Sequence, residues 1–325
     1  MISPGEFELI ARWFSPTSRE RRGVGDDCAL IDTAAGTLAL TTDVLVEGVH
    51  FLPGADPDAL AHKALSVNLS DLAAAGARPR CFLLALVLPR ADPAWLEPFS
   101  RSLLALAERT GCSLVGGDTV RAQPRGAPES RLSIAITAIG EVPPGGGRGR
   151  NGARVGDDIW LSGRTGEAAL ALACLEGRAQ LAGPELAVCR ERLDRPVARV
   201  ELGLALNGIA TAAIDVSDGL AGDLGHILER SRLGARLEWD AVPVAPAFAG
   251  IEAELARSCI LSGGDDYELL FVAAPGQRER VLEAGRRAGV GMTRIGVIET
   301  GSALQIVDAA GRPIETTLAS NDHFL

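Results

Sequence analysis

Of the 32 basic residues in this chain of 325, only Lys63 is a lysine; the rest are arginine. That shortage excludes whole enzyme classes. A P-loop follows its glycine-rich turn with a lysine on the phosphates, and a protein-kinase fold carries a phosphate-binding lysine on a strand. Lys63 stands in His62-Lys63-Ala64-Leu65, which is neither setting. Paired cysteines are missing as well. Cys28, Cys81, Cys112, Cys174, Cys189 and Cys259 never come at C-x-x-C spacing and lie mostly in apolar stretches, so they read as buried, reduced thiols rather than a zinc or redox site. His50, His62, His226 and His323 include no i, i+4 pair of the kind that binds metal. The longest apolar run, Cys81 to Leu88, is far too short to cross a bilayer, and the early residues carry Glu6 and Glu8 rather than a basic patch before an apolar stretch. A cytoplasmic protein is expected. Positive charge is outnumbered overall: a net charge of −10 and a pI near 5.0 oppose a nucleic-acid backbone or an anionic membrane as partner.

Acidic residues are plentiful and patterned. Asp26-Asp27, Asp43, Asp71, Asp118, Asp215 with Asp218, and Asp265-Asp266 form short blocks, most of them closing an apolar run. Aspartates at strand ends gather carboxylates from distant parts of a chain at one sheet edge, where cations hold the negative charges together. The pattern points to a magnesium site.

Two domains are the default for a chain of this length. Thr37 to Thr42 reads as a strand, and Pro57-Asp58 opens a helix that Gly76 ends. Cys81 to Leu88 reads as a strand, Pro93 to Thr110 as a helix ended by Gly111, and Cys112 to Val115 as a strand running into Gly116-Gly117-Asp118. Leu132, Ile134, Ile136 and Ala138 alternate as in a half-buried strand. Pro143 to Gly152 is too flexible and too polar for a core element, and sets a boundary between residues 1–147 and 148–325. Beyond it, strands are expected near Asp158 to Ser162, Ala212 to Val216, Ala235 to Trp239, Leu269 to Ala273 and Thr293 to Ile298, with helices between.

Each acidic block also has a plain structural reading. Gly25-Asp26-Asp27 alone is an ordinary turn, because aspartate bonds its local backbone and glycine supplies unusual dihedrals. Thr41-Thr42-Asp43 is a strand end whose oxygens are nonetheless the hard ligands magnesium prefers. Asn68 and Asp71 share a helix face at i and i+3, and the flanking Ala64, Val67, Leu69, Leu72 and Ala73 leave that face little water, so the carboxylate needs a partner. Gly116-Gly117-Asp118-Thr119 fits a tight turn or a close approach to phosphate. Asp215-Val216-Ser217-Asp218-Gly219-Leu220 is stronger, since it brings two carboxylates and a hydroxyl to the start of a helix. His50 fits an anionic substrate or a structural role.

Taken in order, these pieces resemble the thiamine-monophosphate kinase family, within the superfamily of aminoimidazole ribonucleotide synthetase and selenophosphate synthetase. The resemblance rests on Gly23-Val24-Gly25-Asp26-Asp27-Cys28-Ala29, Thr42-Asp43 with His50-Phe51, Asn68-Leu69-Ser70-Asp71-Leu72, Gly116 to Thr119, Asp215 to Leu220, Ser262 to Glu268 and Asp322-His323-Phe324. It implies two α/β domains with mixed α+β sheets, an ATP site between them and a homodimer. It also implies transfer from ATP to thiamine monophosphate with several Mg2+ ions. By position, Asp27, Thr41, Thr42, Asp43, Asp71, Asp118, Asp215 and Asp218 resemble the magnesium ligands. Gly117, Asp118, Arg150 and Ser217 resemble ATP contacts, and His50, Asp265 and Asn321 stand at substrate positions. Two of these depart from the family: Asp265 replaces a common glutamate, and Asn321 stands where an aromatic would stack on the substrate rings. A selenophosphate synthetase would need a reactive cysteine and a lysine within residues 1–24, and neither is there. The substrate-loop pattern of aminoimidazole ribonucleotide synthetase is absent too. A nucleotide or metal sensor without turnover is the reading from another class.

Overall fold

One helix organises the molecule. In the computed structural model, which describes residues 25–122, 131–144 and 146–314, the helix α1 (Pro57–Ala74) buries 14 of its 18 residues. A helix apolar on all sides belongs between layers rather than on a surface. Asp56 caps its start by accepting from the Asp58 N–H at 3.3 Å. Gly76, at φ 68°, ends it just beyond the last turn, where the Ala77 N–H donates to Leu72 O at 2.8 Å.

On one side α1 packs against a five-stranded sheet. Its strands are β1 (Ala29–Thr33), β2 (Gly36–Val46), β3 (Arg78–Leu88), β4 (Ser113–Arg121) and β5 (Ser133–Val142), in the order β1-β2-β5-β3-β4. Only the β3–β4 pair is parallel; the crossover between them is α2 (Pro93–Thr110), which Gly111 closes as the sequence predicts and which Asp92 caps at its start. Inward residues such as Phe82, Leu86, Ile134 and Ile136 are buried with Leu65, Leu69 and Leu72 of α1. Burying each such side chain is worth roughly 1.5–3 kcal/mol. Among the described residues nothing layers over the outward face: Ile31, Val44, Leu83 and Val120 are each exposed by two-fifths or more.

The second sheet holds six strands in the order β11-β8-β10-β6-β9-β7. These are β6 (Asp158–Ser162), β7 (Ala212–Asp215), β8 (Gly234–Glu238), β9 (Leu269–Ala273), β10 (Met292–Glu299) and β11 (Leu304–Val307). Pairing is antiparallel except between β8 and β11. Its helices are α3 (Glu167–Leu175), α4 (Gly183–Asp194), α5 (Val200–Ala205), α6 (Leu220–Ser231), α7 (Ala253–Ser262) and α8 (Arg278–Ala288). Ala73 and Ala74 of α1 share a core cluster with Leu202, Leu206, Trp160 and Phe271, so the end of α1 is held by the second half.

Three expectations change. Asp43 and Asp118 lie inside strands, opposite Ile136 and Ala85, rather than at strand ends. Gly116-Gly117-Asp118 is therefore strand and not turn; a Cβ on Gly117 would come within 1.8 Å of Leu84 O, so close packing of β4 on β3 already requires glycine there. The stretch after Pro143 is not a loose spacer. Arg148 donates to Asn207 Oδ1 at 2.8 Å and to Gly203 O at 2.7 Å, and the Ala213 N–H donates to Gly149 O at 3.3 Å. Those bonds tie the segment to α5, to the loop after it and to β7. Strands β1 and β11 were not anticipated.

Candidate active site

Asp27 precedes β1, Asp71 lies near the end of α1, and Asp215 ends β7. Each offers a carboxylate oxygen, and the three oxygens lie within 4.8 Å of one another. Asp43 joins them from the inward face of β2, with its Oδ2 buried and without a hydrogen-bond partner. Thr41, two residues earlier on the same face, donates its hydroxyl to Asp71 Oδ2. Burial, followed by the charge of Asp27, pushes Asp43 up to about 6 and Asp215 up to about 8. Burial and then Asp43, Asp215 and Asp27 hold Asp71 well above the ordinary carboxylate range. Burial also raises Asp27, against the opposing pull of Arg150, whose guanidinium lies 2.5 Å from Asp27 Oδ1. Carboxylates this crowded favour protons until a cation replaces them. Hard oxygens with an unpartnered lone pair among them fit a divalent cation such as magnesium.

The loop after β7 is fixed by a residue that motif reading passed over. The buried Asp223 carboxylate accepts from the Ser217 and Asp218 N–H groups at 3.1 and 3.2 Å. Its signal in the sequence is an aspartate in the first turn of α6, where it can reach back to free N–H groups. Facing this loop, the segment before β9 is laced to it: Asp265 N–H donates to Ser217 O at 2.9 Å and Tyr267 N–H to Val216 O at 2.8 Å. The two segments approach so closely that a Cβ on Gly264 would fall 2.3 Å from Ser217 O. Asp265 and Tyr267 both take left-handed backbone, at φ 61° and 53°, a conformation that side chains other than glycine adopt at some strain.

These parts open on a cleft of about 1140 Å³ lined from the first half by Asp43, His50 and Asp71 and from the second by Asp215, Ser217, Asp218 and Asp265. That exceeds the usual pocket for one small ligand. Part of the lining is apolar, with Val49, Phe51, Leu52, Leu172 and Leu193 among it. His50 sits in a tight turn after β2, where its Nδ1 accepts from the Val46 N–H at 3.1 Å. Lys63, which its sequence context set aside, lines the cleft and pairs with Asp265.

Not every expected residue gathers here. Val44, Ala135, Ala85 and Asp118 form one row across the sheet, on its outward face. Thr42 is on that face too, its hydroxyl 3.1 Å from Ile136 O. Strands β2 and β4 are three positions apart, which places Asp118 roughly 14 Å from Asp43 along the sheet. Within one chain, then, Thr42, Gly117 and Asp118 stay apart from the carboxylate cluster. Asn321, and the Asp322-His323-Phe324 block after it, lie outside the described residues.

Two α/β halves with carboxylates converging at their junction define the class, and the comparisons agree. Residues 25–142 match the family "AIR synthase related protein, N-terminal domain" and residues 154–309 its C-terminal counterpart. The chain is 43% identical to the thiamine-monophosphate kinase of Salmonella typhimurium and 40% to that of Haemophilus influenzae, over 98% and 99% of each chain. A crystal structure of thiamine-monophosphate kinase from Stenotrophomonas maltophilia is 42% identical with a TM-score of 0.78, covering 90% of this chain and 91% of that one. The structure of AaThiL complexed with AMPPCP and TMP is 30% identical with a TM-score of 0.83, covering 98% and 97%. The chain belongs to the thiamine-monophosphate kinase family.

Proposed function

We propose that this chain transfers the terminal phosphate of ATP directly to thiamine monophosphate, giving thiamine diphosphate and ADP. The observation that carries the reading is the meeting of Asp27, Asp71 and Asp215, from three separate elements, at a cleft large enough for two substrates. The relative bound to AMPPCP, an ATP analogue, and TMP supports it. Asp27, Thr41, Asp43, Asp71 and Asp215 would hold magnesium, several ions in all, with Asp218 at the rim. Bound there, magnesium supplies charge neutralisation between two polyanions and favours in-line transfer.

The protein's own groups do the rest. The accepting phosphate has a second pKa near 6, so its oxygen is largely ionised at neutral pH and no general base is needed. Arg150 brings a guanidinium to the ATP phosphates beside Asp27, and Ser217 presents a hydroxyl next to N–H groups fixed by Asp223. His50 and Asp265 face the acceptor, whose cationic ring suits the carboxylate. In assays with ATP and magnesium, product is expected from thiamine monophosphate and none from free thiamine; comparable turnover of free thiamine would overturn the acceptor assignment.

The domain division at 147/148 is supported by the one sheet on each side and by the family matches, which stop at 142 and resume at 154. A homodimer is supported by the apolar side chains that stay exposed on the outward face of the first sheet, since monomers rarely expose a large contiguous apolar patch. A second copy stacked there would cover Thr42 and Asp118 and give them, with Gly117, a part in a shared site. Leu83→Glu is expected to shift the chain from dimer to monomer in light scattering; an unchanged dimer would place the interface elsewhere. Among the described residues no helix is long and apolar enough to cross a membrane. We place the protein in the cytoplasm, where ATP and magnesium are abundant.

A further inference from the structure

Lys63 is 4% exposed, and its Nζ lies 2.9 Å from Asp265 Oδ2, the only partner it has among the described residues. An ammonium carries three donors, so two remain unused in a group almost wholly withdrawn from water. Buried donors are rarely left so, because the lost hydration is not replaced. The cleft that Lys63 lines carries several carboxylates, among them Asp43, Asp71, Asp215 and Asp218. Arg178 and Arg190 also reach it, but both are half exposed and already paired, with Glu176 and Asp194. Lys63 is therefore the one deeply buried cation among the described residues of the cleft wall.

Its neighbour is equally fixed. Asp265 takes Lys63 on one oxygen and the Tyr267 hydroxyl, at 3.0 Å, on the other, while its backbone is pinned to Ser217. Lys63 also stands two helical turns before Asp71, a rise of roughly 12 Å along α1. Eight residues of α1 thus separate a cation in the cleft wall from a carboxylate of the cluster.

We propose that Lys63 recognises the phosphate of the acceptor, and that the Lys63–Asp265 pair reads a zwitterion: phosphate on the lysine, cationic ring on the aspartate. The inference rests on the acceptor assignment above and adds to it the residue that distinguishes a phosphorylated acceptor from its free alcohol.

Calorimetric titration of the full chain, without nucleotide, with thiamine monophosphate and with thiamine tests it. Lys63→Met is expected to weaken binding of thiamine monophosphate by about tenfold to a hundredfold, the ordinary size of a lost charge-assisted hydrogen bond. Thiamine affinity and the KM for ATP should stay within about twofold, and Lys63→Arg should restore part of the loss. Because Lys63→Met leaves Asp265 without its counter-ion, Lys63→Met/Asp265→Asn is measured beside it and should likewise show no preference for the phosphorylated ligand. Equal losses for both ligands would reduce Lys63 to a holder of Asp265 and overturn the proposal, as would unchanged affinity for the monophosphate. If the unaltered chain does not bind thiamine monophosphate, the acceptor assignment itself fails, and this inference with it.

Discussion

Asp71→Asn is expected to abolish product formation and, at the same time, to raise the melting temperature of the metal-free protein at neutral pH. The two effects have one cause. Asp71 is buried among Asp43, Asp215 and Asp27, and without a cation folding must either bury its charge beside theirs or take up a proton that the unfolded chain does not hold at neutral pH. Asparagine has the same shape and can still accept the Thr41 hydroxyl, so packing changes little while that cost disappears. The amide also brings no charge to a divalent cation. Loss of transition-state charge stabilisation on the order of a thousandfold or more follows, the size expected when a metal site is disabled. Thermal melting beside a steady-state assay separates this from a structural defect. Lower activity with a lower melting temperature would mean that Asp71 serves the fold, and unchanged activity would remove it from the site.

The second large effect is on pH. The metal-free protein should lose melting temperature by several degrees between about pH 7 and pH 8.5, and saturating magnesium should remove most of that slope. An acid whose pKa is higher folded than unfolded holds its proton more tightly in the native state. Its contribution is complete below the unfolded value of 3.8 and is lost as pH rises through the folded values, about 6 for Asp43 and about 8 for Asp215. Asp71, also held well above the ordinary carboxylate range by burial and its neighbours, acts in the same direction. Burial lowers His226 to about 4 and also lowers His62, and both act with the opposite sign, but only below the unfolded histidine value of 6.5. The chosen window lies above that value. A melting temperature that is flat or rises across it in the metal-free protein would show that the carboxylates are not crowded as described.

The elements that the sequence makes plain are those with strong local punctuation. Pro93 and Gly111 bound α2, and Pro57 and Gly76 bracket α1, because proline suits a first helical turn and glycine the left-handed position that ends one. Of the acidic blocks, those of Asp27, Asp71 and Asp215 meet in the structure, since a carboxylate inside an apolar run needs a partner wherever it lands. What local pattern cannot supply is which strand lies beside which. Asp118 reads like Asp43 in sequence, yet strand order puts it at the far edge and on the other face. Lys63 was set aside on its neighbours, and its partner lies 202 residues away. Asp223 shows nothing of its role until the turn that it caps is seen. The glycine-rich stretch after Pro143 misleads for the converse reason, because the groups that accept from Arg148 come from α1, α5 and the loop after α5.

The carboxylate cluster is proposed as the place where a metal supports transfer between ATP and thiamine monophosphate. The most direct test is chromatographic product analysis of the unaltered protein and Asp71→Asn, each mixed with ATP and thiamine monophosphate, with magnesium or with excess chelator. Thiamine diphosphate is expected from the unaltered protein with magnesium and from no other mixture. Its formation under chelation, or at the full rate by Asp71→Asn, would contradict the claim that these aspartates hold the metal on which the reaction depends.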